Sequence, residues 1–290
     1  MKQPGELFIV ATPIGNLKDI TLRALEVLAT VSLIAAEDTR HSALLLAHYS
    51  IKTPLVALHE HNEYVQSRKL LAKFRKGESI AVISDAGTPL ISDPGFMLSK
   101  LAHGAGIKVV PIPGASAAIT ALCASGLPTD QFHFVGFLPV KAAAVRNKLL
   151  QLKNESATLI FYEAPHRICA TVRLCSEIFA GDREAVIARE LTKKFETISC
   201  GTLAELQQQL ENGTLPQQGE IVLLIKGKKQ GVVRNTTLIE KVLTILSANL
   251  PAKKAVELTA AITGEKKNSL YRQLMVQKPN FDEENINEYT

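Results

Sequence analysis

Apolar residues along this chain fall into short continuous runs, and between the runs they recur every three or four positions. Runs at 7–11 (Leu-Phe-Ile-Val-Ala), 33–36, 55–58, 80–84 and 109–112 have the length and character of buried strands. Between them, 21–28 carries Leu22, Leu25 and Leu28 at three-residue spacing, and 42–48, 64–74 and 94–103 read as further helices. Strands alternating with helices predict crossover connections and a mostly parallel sheet. Asp93-Pro94 has the N-cap and first-turn chemistry of a helix, so the helix after the fourth strand is expected to start there.

A seam at 113–118 (Pro-Gly-Ala-Ser-Ala-Ala) suits a tight turn into a helix packed close to the sheet, and after 126–130 the pattern changes. Strands are predicted at 132–137, 159–162, 185–188 and 221–225, with Ile198 in a hairpin and helices at 142–152, 166–178 and 203–210. This is a mixed α/β region. A charged, glycine-containing linker at 226–231 leads to three helices: the first opening on a capping box of Thr237 and Glu240, the second running from Pro251 to Gly264, the third marked by Leu270, Tyr271, Leu274 and Met275. Helix, glycine turn and helix fits a helix-turn-helix, and its lysines, Lys253, Lys254, Lys266 and Lys267, fit equally a solvated surface on a packing domain. The tail, 282–290, is acidic. The expected domains are 1–117, 118–228 and 229–290.

Composition changes this picture little. A 290-residue chain that is 46% hydrophobic is globular and large enough for more than one core. The apolar run 27–36 contains Thr30 and Ser32 and ends in Glu37-Asp38, far short of the roughly twenty residues a bilayer needs. The opening residues lack a basic segment leading into an apolar core, so no membrane is expected and a cytoplasmic protein is. Four cysteines without a Cys-x-x-Cys pair point to free thiols, and a net charge of +5 is compatible with an anionic partner.

Candidate chemistry sits just after the predicted strands. Four loops, 12–21, 37–41, 59–63 and 85–95, combine Gly or Pro with acids, amides and hydroxyls, and parallel strand ends would bring them to one cleft. The loop at 85–95 is long and rich in small residues, which favours a ligand seat. Phosphate-loop, dinucleotide and nucleophile-elbow signatures are missing, and His59-Glu60-His61 lacks zincin spacing, so no metal is expected. In the second region Glu163, Arg167, Arg189, Glu190 and Lys194 leave buried strands, where charges serve as interdomain ion pairs or as substrate contacts.

Taken together, 11–17 (Ala-Thr-Pro-Ile-Gly-Asn-Leu), 84–89 (Ser-Asp-Ala-Gly-Thr-Pro), 113–117, 161–167, 188–193 and Gly219-Glu220 resemble the tetrapyrrole methylase superfamily over nearly the whole chain. Within it the sequence is similar to the branch that methylates the ribose 2′-oxygen of a cytidine in 16S ribosomal RNA. The resemblance implies a two-domain α/β class III methyltransferase fold with a mostly parallel first sheet, a mixed second sheet and a small helical C-terminal unit. It implies S-adenosylmethionine as cofactor, 16S ribosomal RNA or the 30S subunit as partner, and a homodimer. Carried over position by position, the cofactor would lie on Pro13, on Asp85, Ala86, Gly87, Thr88 and Ile91, on Ser116 and Ala117, on Tyr162 and Ala164, and on Glu220 and Ile221. The chain has Gly87-Thr88-Pro89 where many members read Gly-Asp-Pro. A ribose hydroxyl needs a proton acceptor, so Glu163 or Glu190 is expected as the base, with Lys194 in the catalytic group. Arg40, Arg167, Arg189 and Lys194 would hold RNA phosphates at the mouth of the cleft, and Lys253, Lys254, Lys266 and Lys267 would extend that surface. The rival readings are a methyltransferase of a tetrapyrrole or other small substrate, and a non-catalytic RNA-binding assembly protein.

Overall fold

The computed structural model describes residues 4–228 and 236–277. Strands β1 (Leu7–Val10), β2 (Leu33–Ala36), β3 (Leu55–Ala57), β4 (Ile80–Ile83) and β5 (Val109–Ile112) form a wholly parallel sheet in the order β3-β2-β4-β1-β5. Helices α1 (Leu22–Thr30), α2 (Thr39–His48), α3 (Glu63–Phe74) and α4 (Phe96–Gly104) make the crossovers. All four residues of β4 are buried, because β2 and β1 flank it and helices cover both faces. Leu7, Phe74, Val82 and Leu98 pack one face, and Val10, Leu28, Ile34 and Ile83 the other.

The first helices start where their caps dictate. Thr21 accepts the Ala24 N–H at 3.1 Å to open α1, and Asp38 accepts the Arg40 N–H at 2.8 Å to open α2. Asp93 does not open α4, contrary to expectation. The N-cap is Gly95, whose own side chain cannot cap, and the Glu63 carboxylate takes the Gly95 and Met97 N–H groups at 2.9 and 2.7 Å.

The second sheet holds β6 (Phe132–Phe137), β7 (Thr158–Glu163), β8 (Glu184–Arg189), β9 (Thr197–Thr202) and β10 (Ile221–Ile225) in the order β6-β7-β10-β8-β9. β6 and β7 run parallel, and the remaining pairs are antiparallel. The hairpin expected around Ile198 is β8 with β9. Helices α6 (Ala142–Leu152), α7 (Ile168–Phe179) and α8 (Leu203–Glu211) cover one face over Leu159, Phe161, Ile187 and Leu223. Helix α5 (Ala117–Ala124) covers the other face over Ile160, Val186 and Leu224, joined there by Ile14 from the loop after β1. Ile14 ties the first region to that layer, and residues up to Lys228 form one compact unit.

The second unit begins at Lys229. Its helices α9 (Thr236–Asn249), α10 (Ala252–Thr263) and α11 (Lys267–Gln277) enclose Ile239, Leu243, Val256, Leu270 and Leu274. Pro251 stands at the N-cap of α10 and Gly264 closes it in the left-handed conformation, φ +71°. Lys253, Lys254, Lys266 and Lys267 are all exposed. The side chain of Thr237, the linker beyond Lys228 and the acidic tail lie outside the described residues. Among the described residues no helix is long and apolar enough to cross a membrane.

Candidate functional site

The carboxyl ends of β1, β2 and β4 open onto a pocket of about 320 Å³. Pro13, Ile14 and Gly15 come from the first loop, His41, Ser42 and Leu44 from the start of α2, and Ser84, Asp85 and Ala86 from the loop after β4. Lys193 and Glu220 close it from the second sheet. The loop after β3 is not in the lining. β3 is the edge strand, and its loop folds back on itself: Asn62 Oδ1 accepts the His59 N–H at 3.0 Å while Glu63 is occupied at α4.

The lining loops are pinned to one another through the backbone. Thr12 and Gly87 exchange both N–H···O bonds, at 2.9 and 3.1 Å. Gly87 has φ +82°, and a Cβ there would stand 3.3 Å from Ile14 Cγ2, so the loop needs glycine for conformation and clearance alike. Asp85 Oδ1 accepts the Asp38 N–H at 3.1 Å, and Thr88 Oγ1 donates to Ala115 O at 3.0 Å. Beyond that bond, Tyr162 stands on the α5 face of β7 between Phe134 and Phe137, with ring centroids 5.0 and 5.5 Å away. Burial pushes its phenol up, against a hydrogen bond from the Ala118 backbone. Thr88, Ser116, Ala117 and Tyr162 therefore gather around the start of α5, next to Pro13, Asp85, Ala86 and Glu220 in the pocket wall. Ile91 is 54% exposed and outside the pocket lining. The Ile221 side chain packs among the helices on the opposite face, and the Ala164 N–H bonds Glu163 Oε1 at 2.8 Å.

Carboxylates crowd the same sheet edge. Burial, and then the charges of Asp93 and Asp85, raise the Glu37 carboxyl; burial also raises Asp93, against a hydrogen bond from Ser84. Asp38 is pulled well below the usual range, first by the hydrogen bond from Arg40, with which it pairs at 2.8 Å.

The second-sheet charges expected in chemistry are mostly engaged elsewhere. The Glu163 side chain is fully buried on the helix-covered side and accepts from Thr171 Oγ1 at 2.7 Å and the Ala164 N–H, with Arg167 Nε at 3.3 Å. That carboxylate does not reach the pocket. Arg167 donates onward to Leu138 O and Pro139 O, and Arg189 to Phe195 O and Gln218 O, so both guanidiniums brace loops of their own region. Glu190 accepts from Lys193 Nζ and the Glu220 N–H, each at 2.8 Å, and these two bonds, the ammonium first, hold its carboxyl below the usual range. That makes it a poor base. All these partners lie within the second region, which replaces the expected interdomain ion pairs. Lys194 is exposed, its ammonium 5.5 Å from the Phe195 ring centroid, and Arg40 projects from the first sheet edge.

The two regions meet where Gly15 touches the turn after β8. A Cβ on Gly15 would lie 2.5 Å from Lys193 Cγ and 2.9 Å from Leu191 O, and the Asn16 N–H donates to Thr192 Oγ1 at 3.1 Å. Glu190 and Thr192 in this turn have φ of +51° and +65°, an unfavourable region for a β-branched residue. Sequence reasoning did not single out His41, Ser42, Glu63 or Lys193. His41 ended a quoted strand-end loop, and its place in the first turn of a helix directed toward that edge was the available signal.

The Tetrapyrrole (Corrin/Porphyrin) Methylases family pattern matches residues 6–207. The chain belongs to the tetrapyrrole methylase family. Residues 236–278 of this tetrapyrrole methylase also match the RsmI C-terminal HTH domain. It is 52% identical to the Ribosomal RNA small subunit methyltransferase I of Pseudomonas aeruginosa over 93% of this chain and 97% of that one. It is 54% identical to the protein of the same name from Pasteurella multocida, over 92% and 96% of the two chains. Among solved structures it is similar to uroporphyrin-III-C-methyltransferase from Thermus thermophilus, with a TM-score of 0.54 and 21% identity over 77% of this chain and 94% of that one, a likeness of fold.

Proposed function

We propose that this tetrapyrrole methylase transfers a methyl group from S-adenosylmethionine to the ribose 2′-oxygen of a cytidine in the 16S RNA of the small ribosomal subunit. What carries the reading is similarity at about half identity over nearly the full length of chains named for ribosomal RNA methylation, including the separate helical unit. A small ligand gives no reason for that unit's exposed lysines, which suit a phosphate backbone.

The pinned loops fit such a cofactor: small residues and backbone groups line the seat, and Gly87 leaves open the space a Cβ would fill. Pro13, Asp85, Ala86, Gly87, Thr88, Ser116, Ala117, Tyr162 and Glu220 would hold it, with Ile91 at the rim and Ala164 and Ile221 through their backbones. When bound, it supplies a methyl carbon on an already activated sulfur leaving group. The protein's share is then alignment of the attacking oxygen, exclusion of water and removal of one proton. Glu163 and Glu190 enter as positioning residues of the second sheet. Arg40, Lys194 and the lysines at 253, 254, 266 and 267 take RNA phosphates, with Arg167 and Arg189 bracing the loops behind them. The compartment is the ribosome's, the cytoplasm, and the working form is a homodimer, which light scattering should report as about twice 31.5 kDa.

The deciding experiment offers purified 30S subunits, bare 16S RNA and a porphyrin precursor to the protein with methyl-labelled cofactor. Label should appear in RNA and digest to 2′-O-methylcytidine. Label in the porphyrin alone overturns the reading in favour of a small-substrate enzyme. RNA binding with no label anywhere makes the protein a non-catalytic binder.

A further inference from the structure

We propose that His41 is the catalytic residue that accepts the proton of the ribose 2′-hydroxyl, inside a pocket that receives the target nucleotide alone. This rests on the proposed function above and names the acceptor that the buried Glu163 and the paired Glu190 cannot be.

The pocket adjoins the proposed cofactor seat. Pro13, Asp85, Ala86 and Glu220 belong to both, while Leu17, His41, Ser42 and Leu44 line the pocket only. Its volume, about 320 Å³, lies at the lower end for a small-ligand site. A nucleoside fits such a hollow and a stacked helix does not, so the reacting nucleotide has to leave its stack, as in enzymes that extrude their target. The lining asks for a polar ligand as well. Ser42, a lining residue, is 2% exposed, and its buried Oγ has no hydrogen-bond partner among the described residues.

Elimination leads to His41. Four ionisable side chains line the pocket: His41, Asp85, Lys193 and Glu220. Asp85 is bonded to the Asp38 N–H, and Lys193 bridges Glu190 at 2.8 Å and Glu220 at 3.3 Å. Of the four, only the His41 imidazole has no hydrogen bond or ion pair among the described residues, and the Asp38 carboxylate, by capping the Arg40 N–H, fixes the turn that carries it. Facing it are Asp38 and Arg40 on its own turn, Asp85 from the loop after β4, and Lys193 and Glu220 from the second sheet. A neutral imidazole is the side chain suited to take a proton near neutral pH. In the step, the 2′-O–H bond breaks toward the ring nitrogen, the oxygen–methyl bond forms and the methyl–sulfur bond breaks. The products are a methyl ether, a neutral thioether and an imidazolium, so one positive charge passes from sulfur to His41.

The test uses the full-length protein, 30S subunits and S-adenosylmethionine. His41→Ala should lower kcat by about 10²- to 10⁴-fold. Affinities for S-adenosylmethionine and for 30S subunits, and the melting temperature, should stay near those of wild type. Free imidazole should restore part of the lost rate to this variant, and His41→Gln should be as slow as His41→Ala. Turnover of His41→Ala close to wild type overturns the proposal, as does a loss shared by cofactor affinity or melting temperature. A wild-type protein that labels neither 30S subunits nor bare 16S RNA overturns the proposed function itself, an outcome readable before any variant is made.

Discussion

At the strand ends of the first sheet, Asp85 and Glu63 bond backbone N–H groups of neighbouring loops, Asp38 caps its own helix, and His41 and Ser42 line a hollow. At the strand ends of the second sheet, Glu163, Arg167, Arg189 and Glu190 are consumed by groups close at hand. Strand direction explains the difference. In the parallel sheet every carboxyl end opens on the same edge, and no incoming chain lies beside it. In the mixed sheet β10 enters antiparallel to β8, with Ile221 opposite Arg189, so the segment leading into it runs past the end of β8. Gln218 O accepts from the Arg189 guanidinium, and the Glu220 N–H donates to the Glu190 carboxylate. A charge leaving a buried strand is thus a site in one sheet and a brace in the other.

The comparison breaks first at Glu163. If it is a brace, Glu163→Ala strands Arg167 and should cost about 3–5 kcal/mol, the loss typical of a broken buried pair. Denaturant unfolding measures this, and an intact fold with slowed catalysis would return Glu163 to the active site. The meeting point of the two regions comes next. Gly15→Val drives a side chain into Lys193 and Leu191 and should cost about 1–3 kcal/mol, with a loss of methyl transfer out of proportion to that figure. A variant with normal stability and turnover would show that the two walls need not touch.

The smallest effect sharpens the picture of the first sheet edge. Burial raises the Asp93 carboxyl, so its contribution to stability is full below the ordinary aspartate value and is lost as pH rises through the raised one. Asp93→Asn should therefore raise Tm at pH 7. The gain should vanish below about pH 4. Calorimetry at the two pH values measures it, and an equal gain at both would point to packing rather than charge.

Local chemistry was legible and distant pairing was not. The strands at 109–112, 132–137 and 221–225 and the helix at 142–152 have the bounds read from sequence, because each is an apolar or amphipathic run with breakers at its ends. The pocket loops after β1 and β4 were legible because small residues and turns have few other uses at a strand end. Glu63 capping α4 from 32 residues away leaves no local trace, and Asp93 offered a nearer, wrong candidate. Glu163 and Arg189 look the same in sequence whether they face water or fold back on their own loops. His41 was passed over because Arg40 beside it carries the more conspicuous charge.

The contact of Gly15 and Asn16 with the turn at 190–193 bears on which lengths of chain this fold accepts. Surface loops ordinarily absorb insertions at little cost. Here two loops from different sheets are registered against each other by one hydrogen bond from the Asn16 N–H to the Thr192 hydroxyl and one missing side chain. One added residue in either would slide Thr192 away from the Asn16 N–H and open the pocket wall, so both loops should hold their lengths.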